Sequence, residues 1–144
     1  SAACSIPFIE ASLARVAAGA GGHRVRRIGL VLASVDAEEA RAYDRLRPLL
    51  AFILRGAHHK ANLEAAGLEL DQAALREATA TGDWVGAAEL IGDEVVAALT
   101  ASGRPSRVRD SIAAYRAAGL DEVVVTGWRD AEELSAVLEA LRGG

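Results

Sequence analysis

The sequence has 144 residues, of which 51% are hydrophobic and 25% charged, a composition typical of a globular domain and not of a disordered chain. Its net charge of −4 argues against nucleic acid as the main partner, and no apolar run is long enough to span a membrane. The first residues lack a basic leader followed by an apolar stretch, and the single cysteine, Cys4, excludes an internal disulfide. We therefore expect a cytoplasmic protein.

The N-terminal third of the chain predicts a helix, a strand and a second helix. Ser5 can cap a helix over residues 7–18, and Pro7 fits its first turn. The run "HRVRRIGLVLASVD" predicts a strand near residues 25–35, and its nearly continuous apolar stretch is typical of a strand buried on both faces. Asp36 and Glu39 form a capping-box pattern for a helix over residues 37–55.

Pro48 falls inside that second helix and is expected to kink it or to split it in two. Residues 56–100 then contain no strand candidate. They predict short helices separated by Gly and Asp, among them one capped by Asp71. The simplest interpretation is a helical insertion over residues 56–100.

The last third predicts a loop, an amphipathic helix, a strand and a final helix. The helix begins near Pro105 and ends at Gly119, and a buried strand follows near residues 120–126. Asp130 can cap the last helix. Two apolar strands, each followed by a helix, indicate a parallel sheet. Two strands cannot cover their own faces and edges, so we expect a homo-oligomer or a part of a larger protein.

The run "LTASGRPSRVRDSIAAYRAAGLDEVVV" resembles the C-terminal region of luciferase-like monooxygenases, a family that includes flavin-dependent and F420-dependent oxidoreductases. Their pattern "G-x-P-x-x-V…I…Y…A-G-x-D-x-V-V" is matched here by Gly103, Pro105, Val108, Ile112, Tyr115, Gly119, Asp121, Val123 and Val124. Upstream, "GLVLASVDAEEARAYDRLRPLLAFIL" and "TGDWVGAAELIGDEVVAALTASG" resemble earlier segments of the family, in the same order.

The resemblance implies an α/β fold: the C-terminal portion of a (β/α)8 TIM barrel with a helical insertion, helix-rich and with few parallel strands. Residues 1–144 would form a single domain, a partial barrel. The implied function is an oxidoreductase or monooxygenase that uses FMN or coenzyme F420 and a small-molecule substrate. The family's early strands and its "S-G-P" turn have no counterpart in this sequence, so we expect the isolated chain to be inactive. The alternative is a non-catalytic remnant or proteolytic fragment that self-associates.

In barrels the chemistry lies at the carboxyl ends of the strands, which selects Ser34, Thr126 and Trp128 as cofactor-binding candidates. Trp128 can either wall a flavin or substrate pocket or pack under the last helix. Asp36 is interpreted as a helix cap, and no catalytic residue is assigned.

The histidines and the cysteine carry weaker signals. Adjacent residues such as His58 and His59 point away from each other on a helix, so we expect no metal site and interpret them as solvated residues at a helix start. Contact with a substrate or a partner is the alternative. Cys4 has no recognisable catalytic partner and is interpreted as a minor core residue.

Overall fold

A computed structural model of the chain describes residues 3–143. Helix α1 (Ile6–Gly19) begins as the sequence predicts: the Ser5 hydroxyl accepts a hydrogen bond from the Phe8 backbone N–H at 3.4 Å, and Pro7 occupies the first turn. The segment before it is anchored in the core. The amide of Asn62 accepts from the Ser5 backbone N–H and donates to the Ala3 carbonyl, both at 2.8 Å. Tyr115 donates to the Cys4 carbonyl at 3.1 Å.

Strand β1 (Ile28–Val35) leads into helix α2 (Glu39–Leu54). The predicted cap at Asp36 is wrong, because α2 starts later and its N-cap residue is Glu38, which makes no side-chain capping bond. The Asp36 carboxylate accepts instead from the Glu38 backbone N–H at 2.9 Å, and so holds the turn before the helix. Pro48 does not split α2. It lies on the exposed side of the helix, where the carbonyl freed by its missing N–H can bond water.

The middle of the chain is a series of short helices. A 3-10 turn (Ala57–His59) is followed by α3 (Lys60–Ala65), α4 (Gln72–Thr81), α5 (Trp84–Glu89) and α6 (Asp93–Leu99). Asp71 caps α4, as the sequence predicts, and Asp83 caps α5. None of the helices within residues 3–143 is both long and apolar enough to cross a membrane.

The last third contains strand β2 (Ala101–Gly103), helix α7 (Pro105–Ala117), strand β3 (Glu122–Thr126) and helix α8 (Ala131–Arg142). The prediction of a loop before α7 is wrong over β2, which pairs with the carboxyl end of β1. Its three residues, Ala, Ser and Gly, are too few and too small to give a strand pattern. Asp130 caps α8 by accepting from the Glu133 backbone N–H at 2.9 Å.

The three strands form a parallel sheet in the order β2-β1-β3, so the successive strands β2 and β3 are not neighbours. The two crossovers therefore run in opposite directions, and right-handed crossovers then place their helices on opposite faces. The cores agree. Leu32 packs in a cluster with residues of α2 to α6, whereas Val31 and Ala33 pack with residues of α7 and α8.

Burial of β1 on both faces is confined to its carboxyl half. Residues 31–34 are buried, whereas Ile28 and Leu30 are exposed. Val124, which pairs with Leu30 on β3, is exposed as well. The prediction of a strand buried along its whole length is therefore wrong for its amino half, which forms one wall of an open groove beside α1.

Candidate functional site

The candidate site lies where β1 and β3 end. In open parallel sheets, ligands bind outside the carboxyl ends of adjacent strands whose connections leave in opposite directions. β1 and β3 are such a pair, and Leu32 lies opposite Thr126 in their register. Ser34 follows on β1, and the turn with Trp128 follows on β3.

The turn after β3 passes close over β1 and α2. Gly127 has a φ of +108°, and a Cβ there would lie 3.2 Å from Leu46 Cδ2 and 3.4 Å from the Ala33 backbone. The positive φ favours glycine at this position, and the contact with Leu46 leaves little room for a Cβ. The next two residues, Trp128 and Arg129, are therefore presented at the mouth of the crevice.

Arg45 of α2 ties the end of β1 to the far side of the crevice. Its guanidinium donates to the Val35 carbonyl at 2.9 Å and to Asp36 Oδ2 at 2.6 Å. Its Nε lies 3.6 Å from Oε1 of Glu133, in the first turn of α8. A single side chain thus joins β1, α2 and α8.

Glu133 is the other centre of this charge network. It accepts from the backbone N–H of Arg129 and from Arg129 Nε, both at 2.8 Å, and also from Arg129 Nη2. These hydrogen bonds hold the pKa of the Glu133 carboxyl below its ordinary value, against the opposing effect of burial. The pKa of Asp36 is lowered too, first by the Glu38 N–H and then by Arg45.

Both carboxylates are therefore ionised at neutral pH, and neither is tuned for proton transfer near pH 7. Arg45 and Arg129 compensate their charge at short range. The network can bind and orient groups at the crevice, but as arranged it does not supply a general acid or base.

Two grooves open on either side of Arg45 and Arg129. The first, called here the rim groove, has a volume of about 470 Å³. Its lining is Asp44, Arg45, Pro48, Leu49, Thr126, Gly127, Trp128 and Arg129. The second groove, of about 300 Å³, is polar and lies against the first turn of α8.

Of the three predicted cofactor-binding residues, the structure brings two together in the rim groove, Thr126 and Trp128. Trp128 is half-buried and lines the groove. Ser34 is only 6% exposed, lies beside Ser102 of β2 in the sheet register and lines neither groove.

Sequence reasoning missed the charge network. Arg129 and Glu133 are four residues apart at a helix start, a spacing that favours an ion pair, and this signal was available. Arg45 carries no such signal, because its partners Asp36 and Glu133 are 9 and 88 residues away along the chain.

The histidine pair lies at the opposite end of α2 from this site. His58 is exposed, but His59 is only 5% exposed, so the prediction of two solvated histidines is wrong for His59. Burial, and then the neighbouring His58, lower the pKa of His59. Within residues 3–143 no group of three or more His, Cys, Asp and Glu side chains is arranged to hold a metal ion.

Known proteins resemble the chain in sequence and in fold. The family model of luciferase-like monooxygenases matches residues 3–122. A 5,10-methylenetetrahydromethanopterin reductase of Archaeoglobus fulgidus is 32% identical in an alignment 121 residues long that covers 81% of this chain and 36% of the reductase. The structure of the coenzyme F420-dependent tetrahydromethanopterin reductase of Methanopyrus kandleri matches with a TM-score of 0.78 at 23% identity.

That structural match covers 96% of this chain and 42% of the Methanopyrus reductase, so the chain spans less than half the length of both relatives. The likeness confirms the predicted fold class, a helix-rich α/β C-terminal portion of a (β/α)8 barrel with parallel strands. Because the family model covers most of its residues, the chain belongs to the luciferase-like monooxygenase family.

Proposed function

We propose that this chain forms part of an oxidoreductase that uses coenzyme F420, and that the rim groove is part of its pocket for cofactor or substrate. The observation that carries the proposal is that Thr126 and Trp128 line one groove at the carboxyl ends of the parallel strands. The name of the Methanopyrus reductase supports F420 over FMN. The pterin in those names points to a small heteroaromatic substrate.

The lining of the rim groove suits a planar ring with polar substituents. The Trp128 indole, Leu49 and Pro48 offer apolar surface to a ring face. The Thr126 hydroxyl and the Arg129 guanidinium can form hydrogen bonds at its edge. When bound, a deazaflavin supplies the hydride chemistry. The residues of this chain would orient it and exclude water. They would not supply a general acid or base, since the nearby carboxylates remain ionised. Ser34 stays a prediction as a third contact.

The test is a titration of the chain with F420, and separately with FMN, followed by cofactor fluorescence. We expect saturable binding of F420. Trp128→Ala should weaken it about tenfold, the effect of losing one stacked aromatic face. Trp84→Ala is the matched control, because Trp84 is equally large but lies on α5 beside Phe52, outside the rim groove. Absence of F420 binding, or equal effects of the two variants, would contradict the proposal, and tighter binding of FMN would contradict the choice of F420.

A second candidate function is a non-catalytic chain that self-associates. The observation in its favour is the exposed apolar surface of Ile28, Leu30 and Val124, next to the outer edge of β3. Within the described residues no strand pairs with that edge, and unpaired edges promote association. This candidate predicts a homo-oligomer in sedimentation experiments that Leu30→Ser disrupts and Val85→Ser, on the distant and exposed α5, does not. A stable monomer, or micromolar binding of F420 by the 144-residue chain, would exclude it.

A further inference from the structure

The turn that carries Trp128 is fixed on both sides of the indole. On one side Gly127 is packed against Leu46 and the backbone of Ala33. On the other side, both the backbone N–H and the guanidinium of Arg129 are bound by Glu133. The orientation of the Trp128 side chain into the rim groove therefore depends on these two attachments.

The hydrogen bonds that Arg129 makes to the Glu133 side chain are distinct from the bond that caps α8. The N-terminus of α8 is capped by Asp130, which accepts from the Glu133 backbone N–H. The Glu133 side chain reaches back past this cap to Arg129 and is only 16% exposed. Removing the carboxylate leaves the Asp130 cap in place and frees the Arg129 side of the turn.

Glu133 also fixes the turn relative to β1. Its Oε1 atom accepts from Arg129 Nε and lies 3.6 Å from Arg45 Nε, and Arg45 is bonded to the end of β1. Among the described residues, Glu133 is the carboxylate that contacts both arginines. It therefore joins the turn to the carboxyl end of the sheet.

We propose that Glu133 is a positioning residue that holds the Trp128 turn over the end of β1 and thereby sets the shape of the rim groove. The ligand part of this inference rests on the proposed function, in which the groove takes a deazaflavin. The positional part does not, because the Trp128 indole loses its fixed environment when the Glu133 carboxylate is removed, whether or not a cofactor binds.

The experiment uses Trp128 as its own probe. The chain has two tryptophans, and Trp84→Phe leaves Trp128 as the single emitter while keeping an aromatic ring beside Phe52. In this background we compare Glu133→Ala and Glu133→Gln with Glu132→Gln. Glu132 is the neighbouring exposed residue of α8 and has no contact with Arg129 or Arg45 among the described ion pairs. Acrylamide quenching and the emission maximum of Trp128 are measured without cofactor.

We expect the Glu133 variants to raise the quenching constant and to shift the emission to the red, with a larger effect for Ala than for Gln, because Gln can still accept from the Arg129 N–H. Glu132→Gln should leave both readouts unchanged. F420 affinity should fall about tenfold in Glu133→Ala. A Glu133→Ala variant that does not fold is replaced by Arg129→Ala, which removes the same side-chain link from an exposed position.

The outcomes separate the two claims. Changed Trp128 quenching with no F420 binding in any variant supports positioning and overturns the proposed function. Tight F420 binding with unchanged quenching and affinity in the Glu133 variants overturns positioning and leaves the proposed function standing. Equal changes in the Glu133 and Glu132 variants would mean that the loss of any negative charge from the first turn of α8 causes the effect. That result would also overturn positioning.

Discussion

The two halves of β1 have similar sequences but different environments. Leu30 and Leu32 point to the same face of the sheet, yet Leu30 is 40% exposed and Leu32 is 2% exposed. The carboxyl half is covered by α2 on this face and by α7 and α8 on the other. The amino half ends in exposed ion pairs, Arg26 with Glu122 and Arg27 with Asp121. Burial of a strand thus depends more on the helices that cover it than on its own apolar residues. Only the covered half of β1 can support a rigid site.

The largest expected effect comes from truncating the buried leucine. Leu32→Ala should lower the free energy of unfolding by about 2–5 kcal/mol, because it removes core contacts and leaves a cavity. Leu30→Ala is the matched control, two residues away on the same strand and face, and should cost about 0.5 kcal/mol or less. Urea unfolding of both variants checks the difference.

Equal costs for the two leucines would mean that the amino half of β1 is covered in solution by another molecule. Measuring unfolding at two protein concentrations would then identify self-association, because only an oligomer gains stability with concentration.

An intermediate effect is expected at the turn that carries the candidate site. Gly127→Ala should destabilise the chain by about 1–3 kcal/mol, because the positive φ strains any residue with a Cβ and the new Cβ would lie tight against Leu46. Gly67→Ala is the control, since Gly67 also has a positive φ, of +66°, but a Cβ there meets nothing within 4 Å. It should cost about 1 kcal/mol, the backbone contribution alone.

Thermal unfolding of the two glycine variants measures this difference. The excess cost at Gly127 reports the combined strain of its more positive φ and of its packing on the carboxyl end of the sheet. If both variants cost the same, the turn is free to move away from β1, and the carboxyl end of the sheet does not hold it rigidly.

Local signals in the sequence were sufficient for several elements. The caps of α1, α4 and α8 follow from Ser5, Asp71 and Asp130, because a capping bond spans only two or three residues. Trp128 and Thr126 could be placed at a strand end from the apolar run before them. These features depend on neighbours along the chain.

The features that could not be predicted depend on distant parts of the chain. β2 has no strand pattern and is ordered by its pairing with residues 33–35. Arg45 and Glu133 are brought together by the packing of α2 and α8 against the two faces of one sheet. His59 is buried by the packing around its turn, which nothing in "GAHHK" indicates. Periodicity and spacing carry no information on such contacts.

The smallest expected effect lies at the amino end of the sheet and appears as pH dependence. Arg27 donates to Asp121 from its backbone N–H and from its guanidinium at 2.9–3.0 Å. These bonds hold the pKa of the Asp121 carboxyl well below its ordinary value. Between the two pKa values the unfolded chain binds more protons than the folded one, so the contribution of this pair is present above about pH 4 and is lost as pH falls further.

Asp121→Asn removes this titration, so its stability should fall less steeply than that of the unmodified chain between about pH 4 and pH 2. Arg27→Gln should reduce the steepness in the same way, since it removes the side-chain bonds that lower the pKa, and the double variant should add little to either. The total change is small because both side chains are partly exposed and solvent screens their charges. Denaturant unfolding across this pH range gives the slopes. Parallel slopes for all four chains would mean that the pair is not formed in solution, and that the amino end of the sheet is held by β1–β3 backbone pairing alone.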